Sequence, residues 1–123
     1  AGPTDPRARV TSTLTVPLPL QVFGVAPHMH IRGYSMTAEL LSSTDTATCM
    51  MNVPRWNFGW QSAFWFNTPV RTSSSSRLRF TCTWDNTAAN QPTIDGVRVP
   101  PHELRWGEST DAEMCLLMVY AAL

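Results

Sequence analysis

The chain has 123 residues, 43% of them hydrophobic, and nine basic side chains balanced by nine acidic ones. That is enough for one domain with a core of its own, and too apolar for a disordered chain. Every basic residue is an arginine, and they are scattered from Arg7 to Arg105, which leaves no footprint for nucleic acid or an anionic membrane. No stretch reaches the roughly 18 apolar residues that a membrane-spanning helix needs. Leu14 to Ala26 comes nearest, but Pro17, Pro19 and Gln21 interrupt it. The opening at Ala1, without a charged and then apolar leader, reads as a mature form or a processed piece.

Along the chain, short apolar alternations are separated by turn chemistry, with no convincing helix. Val10, Ser12, Leu14 and Val16 alternate with threonines and predict a strand. Met36, Ala38 and Leu40 alternate again. The polar cluster Ser42–Asp45 then predicts a hairpin into Ala47, Cys49, Met51 and Val53, with Cys49 buried on its strand. Ala63–Phe66 reads as a compact aromatic strand, and the serines 73–76 as a turn. Leu78, Phe80, Cys82 and Trp84 fall on one face of the next strand, with Arg77, Arg79, Thr81 and Thr83 on the other. From Asp85 to Thr110 the chain is rich in Asn, Pro, Gly and Asp, with turn signals at Asp95-Gly96 and Pro100-Pro101; a loop of that length is usually functional or mobile. A last strand is predicted from about Glu113 to Ala121, with Met114, Leu116, Met118 and Tyr120 on one face. The whole predicts an all-β chain, an antiparallel β-sandwich or jelly roll, in one domain spanning 1–123.

His28 and His30 stand two residues apart in an extended stretch, so both rings face one side and Met29 the other. Their Cα atoms would lie roughly 6.5–7 Å apart, within reach of one metal ion. Two hydrogen-bonded, partly buried histidines are the alternative. Met114 alone is ordinary core filler. Cys49, Cys82 and Cys115 form no Cys-x-x-Cys pair and leave two readings open: three free thiols, or one disulfide with a spare thiol in an oxidising compartment.

Five segments occur in one order: Pro27–Gly33 with its His-x-His, Trp56–Gln61, Trp84-Asp85-Asn86, Arg105–Glu108 and Asp111–Cys115. Together they resemble the C-terminal domain of the copper type II, ascorbate-dependent monooxygenases, from about Leu20 onward and closest to the compact bacterial branch. The family includes peptidylglycine α-hydroxylating monooxygenase and dopamine β-monooxygenase. The resemblance implies a single copper held by His28, His30 and Met114, the catalytic residues, and a disulfide between Cys82 and Cys115. Imidazole suits either copper oxidation state, and the soft thioether favours Cu(I). O2, an electron donor such as ascorbate, and an extracytoplasmic (periplasmic or secreted) location are implied with it.

The chain also departs from the family. Peptide-hydroxylating members carry an arginine two residues before the first histidine, where Ala26 stands. They carry an asparagine and a tyrosine where this chain has Leu116 and Met118. These changes speak against peptide amidation and leave Leu116, Met118 and Tyr120 to line an apolar substrate pocket. The complete enzymes hold a second copper through three histidines of a preceding domain. This chain has only His102 besides the first pair, so a second domain or partner subunit is expected. His102 reads as a solvated loop residue, with a further ligand or proton donor as the alternative. The five tryptophans are expected as core or loop anchors, against a glycan-stacking platform. Asp111 and Glu113 either orient an imidazole or are surface charges. The leading expectation is a copper monooxygenase domain; the alternative is a non-catalytic copper-binding or structural subunit of a larger assembly.

Overall fold

The structure, a computed structural model, describes residues 4–123. Nine strands are formed: β1 (Ala8–Val16), β2 (Gln21–His28), β3 (Gly33–Leu41), β4 (Ala47–Val53), β5 (Phe64–Arg71), β6 (Ser76–Trp84), β7 (Thr93–Ile94), β8 (Val97–Arg98) and β9 (Leu116–Ala122). They pair antiparallel into a four-stranded sheet, β1-β6-β3-β4, a three-stranded sheet, β5-β2-β9, and the small ribbon β7-β8. The two large sheets face each other over one core. Val22 and Val25 of β2 meet Met36, Ala38 and Leu40 of β3, Met50 and Met51 of β4, and Leu78, Cys82 and Trp84 of β6. The fold is an all-β sandwich, as the alternation predicts.

Four details differ from the expectation, each for a local reason. Cys49 is exposed rather than buried. The β3–β4 register steps from Ala38↔Met51 to Glu39↔Cys49, so Met50 is an extra residue. Such a bulge breaks the alternation: Met50 and Met51 are both buried, and Cys49 is turned to the outer face. The final strand begins at Leu116, not Glu113. Glu113 is drawn instead to the preceding loop, its amide donating to the Arg105 carbonyl and its carbonyl accepting from Gly107. The aromatic strand extends past Phe66 to Arg71. Of the five tryptophans, Trp84 is buried and Trp56 half-buried, but Trp60, Trp65 and Trp106 are exposed.

On β1, Val10 and Leu14 pair with Cys82 and Leu78, yet are 49% and 56% exposed. β1 is an outer strand of four opposed by a sheet of three, so its inner face overhangs. The long segment after β6 is well held: Gln91 donates its amide to Asn86 and Thr87, and β7–β8 turns at Asp95-Gly96. Both turn residues have positive φ, 51° and 79°, the pattern that makes Asp-Gly a hairpin signal.

Candidate metal centre

β2 delivers the His-x-His. Its inward residues reach Val25 and continue to Met29, both fully buried, while His28 closes the strand opposite Leu116 of β9. The chain then turns, Gly33 donating its amide to the His30 carbonyl at 3.1 Å. His30 therefore sits at the start of a turn rather than within an extended run. The rings still converge, with centroids 5.0 Å apart and planes at 84°. Phe58 lies edge-on to His30 at 5.8 Å.

The hydrogen bonds fix where the ring protons sit. His30 Nδ1 faces the Ala112 carbonyl at 3.0 Å, which can only accept, so His30 carries its proton there. His28 Nδ1 faces the Gln61 side-chain oxygen. Gln61 is oriented by its own amide nitrogen, which donates to the Phe58 carbonyl at 3.2 Å, so Nδ1 of His28 is also the donor. In the neutral imidazole Nε2 is then the atom that carries the lone pair. A protonated Nδ1 held by a fixed acceptor is the arrangement that supports a metal-binding imidazole.

Beneath this pair lies a buried carboxylate. Glu113 accepts from the backbone amides of His30 and Arg32, each at 3.0 Å, and from Trp84 Nε1 at 2.7 Å. Burial pushes its pKa above the usual value, and these hydrogen bonds oppose the rise. Arg32 is fully buried, with Nε on Gln91 and its terminal nitrogens on the Asp111 carbonyl and carboxylate. Asp111 and Glu113 are thus structural partners of the histidine turn rather than plain surface charges. Sequence reasoning passed over Gln61 and Arg32. Both stand inside quoted motifs, but Gln61 is 33 residues from His28 and nothing in the spacing brings them together.

The other predicted residues are placed as follows. Met114 lies directly after Glu113 and borders an apolar cleft of about 270 Å³ with Val10, Trp84, Leu104 and Trp106. Its segment meets His30 through Ala112 and Glu113. Met118 and Tyr120 border a separate groove of about 230 Å³ with Ala26, His28, Gln61 and Ala63. Leu116 is exposed opposite His28 in the β2–β9 register. Tyr120 packs against Trp65 with ring centroids 4.8 Å apart and planes tilted by 44°, and both flank Gly24 across the sheet. A Cβ on Gly24 would come within 2.6 Å of the Trp65 ring, so the glycine makes room for that ring. Cys82 and Cys115 form a disulfide with Cα atoms 5.9 Å apart. His102 is half-exposed, its Nε2 3.8 Å from the Asp111 carboxylate.

Residues 9–122 match the sequence profile of the copper type II ascorbate-dependent monooxygenase C-terminal domain. The chain belongs to that family. No individually curated protein matches it. Membership in this monooxygenase family carries copper binding with it, and two adjacent imidazoles with free Nε2 atoms fit that metal. Among the described residues no group of three or more His, Cys, Asp or Glu side chains is placed to hold a metal ion. No helix among the described residues is long and apolar enough to cross a membrane.

Proposed function

We propose that this chain is the catalytic-copper domain of its monooxygenase, with His28, His30 and Met114 holding one copper ion. The reading is carried by two neighbouring imidazole rings, centroids 5.0 Å apart, each with its Nδ1 held by an acceptor so that Nε2 is the nitrogen left for a metal. Met114 is assigned as the third ligand because a thioether is the soft donor that Cu(I) prefers, and because it stands two residues before the partner of His28. The bound copper would supply O2 activation for hydroxylation of a C–H bond. Gln61 and Ala112 hold the rings in their metal-binding tautomer, and Glu113 anchors the turn that presents His30. The groove beside His28 receives the substrate. Ala26, Pro27, Ala63 and Met118 give it an apolar side, Gln61, Ser62 and the Tyr120 phenol a polar one, and no arginine or lysine is among the residues lining it to hold a carboxylate. Leu116, exposed opposite His28, stands beside it on the same strand as Met118 and Tyr120, and Trp65 packs against Tyr120. Electrons would come from ascorbate or another donor through a second domain or partner subunit. The disulfide suits an extracytoplasmic, oxidising compartment.

Copper titration of the chain is the test. His28→Ala should lower copper affinity by at least tenfold, and Met114→Leu should weaken Cu(I) binding while sparing Cu(II). Copper affinity untouched by His28→Ala would sink the assignment. One observation favours a second reading, a copper-binding module without turnover: Met114 borders the cleft of Trp84 and Trp106 rather than the groove of His28. O2 consumption by the copper-loaded chain with ascorbate present separates the two, since the module binds copper and consumes none above free copper.

A further inference from the structure

A third cavity, of about 400 Å³, is walled in part by Phe58 and Trp56 and includes neither histidine of the pair. Both aromatics belong to its wall and also to the surroundings of His30. Phe58 packs edge-on against the His30 ring, and Trp56 Nε1 donates to the His30 carbonyl at 3.1 Å. The remaining wall is polar. Tyr34 stands between two guanidinium groups, Arg7 with its Cζ 3.7 Å from the ring centroid and Arg55 with its Cζ at 4.7 Å. Arg55 also donates to the Tyr34 hydroxyl at 3.2 Å.

The charge balance of this cavity is positive. Its one carboxylate, Asp85, lies 3.9 Å from Arg7 and already accepts from the Thr87 amide. Among the described residues no carboxylate pairs with Arg55. Arg7 Nη1 donates to the Pro6 carbonyl and Arg55 Nη1 to the Tyr34 hydroxyl, and the remaining guanidinium N–H groups are donors of the kind that match an oxyanion. Asn57 and Asn90 add amide groups at the rim.

We infer that this cavity binds a small organic oxyanion, a carboxylate or an enolate, held by Arg55 and Arg7 and packed on Trp56. The ligand would sit one aromatic ring from His30 without entering the groove beside His28. That groove is lined by no arginine or lysine, and this cavity supplies two arginines. The inference is independent of the copper assignment, because binding is measured on the chain without added metal.

The probes are ascorbate, an enolate, and gluconate, a hydroxylated carboxylate of similar size. Both are titrated at low ionic strength while the Trp56 indole N–H is followed by NMR. We expect saturable shifts that weaken at least tenfold in Arg55→Gln and in Arg7→Gln, and that weaken with added salt. Both arginine side chains are exposed, so neither change threatens the core. Binding of ascorbate alone identifies an enolate site, and of gluconate alone a carboxylate site; binding of both identifies a general oxyanion site. No shift with either probe, or equal shifts in the arginine variants, overturns the inference.

Discussion

Gln61 decides more than its exposed position suggests. Its amide is turned by the Phe58 carbonyl, and that orientation puts the proton of His28 on Nδ1. Gln61→Leu removes the acceptor while keeping the side-chain volume, so His28 would no longer be held in one tautomer. Loss of such a partner typically costs 10–100-fold in metal affinity. We expect a fall of about tenfold or more in copper affinity with unchanged circular dichroism; equal affinity would show that Gln61 is a bystander. Glu113 acts on the other histidine through the backbone. It accepts from two turn amides and Trp84 Nε1 at once, and removing it would leave three buried donors unpaired, at about 1–3 kcal/mol each. Glu113→Ala should therefore lower unfolding stability by at least about 2 kcal/mol in urea titrations, far more than a surface carboxylate would. At this scale the nearness of the two histidine rings was legible from their spacing, although His30 lies in a turn beyond β2 and not in the extended run that the spacing argument assumes. The partners were not. Gln61 and Ala112 are 33 and 82 residues from the rings they hold, and such distances carry no local signal.

Strand β6 shows what alternation can and cannot reveal. Its apolar residues are inward, as their period of two predicts, and Cys82 is fully buried among them. The pairing of Cys82 with Cys115 followed from the family resemblance and is present. It ties β6 to the segment that enters β9, closing a loop with a sequence separation of 33 residues. The chain-entropy model gives such a loop about 3–4 kcal/mol of stabilisation. Cys82→Ser combined with Cys115→Ser should lower unfolding free energy by that order in urea, provided Cys49 is also replaced so that no thiol can exchange. A loss below about 1 kcal/mol would mean that the entropic account fails here. Alternation misled on β4, where one extra residue, Met50, reverses the faces and brings Cys49 out. A bulge is set by pairing with the neighbouring strand, and the sequence of β4 alone does not contain it. The same applies to β1, whose apolar residues mark an inner face but do not say how far the opposite sheet extends.

For the molecule as a whole, short strands and frequent turn residues were sufficient to predict an all-β sandwich. They did not specify that β1 pairs with β6 or that β2 lies between β5 and β9, because those pairings join distant parts of the chain. Copper should act on this frame as a stabilising ligand. At a free concentration of about 100 times its dissociation constant it should add about 2.7 kcal/mol, visible as a raised melting temperature that His28→Ala abolishes. The clamp around His30 has a further consequence, in time rather than in energy. The bonds from 30–32 to 111–113 span 79 to 83 residues, so the site closes only after the chain has been made and folded through residue 113. Chains dominated by such distant pairings fold in about milliseconds to seconds. A newly made chain would thus expose an unfinished His-x-His first, and metal capture should follow the slow folding phase rather than precede it.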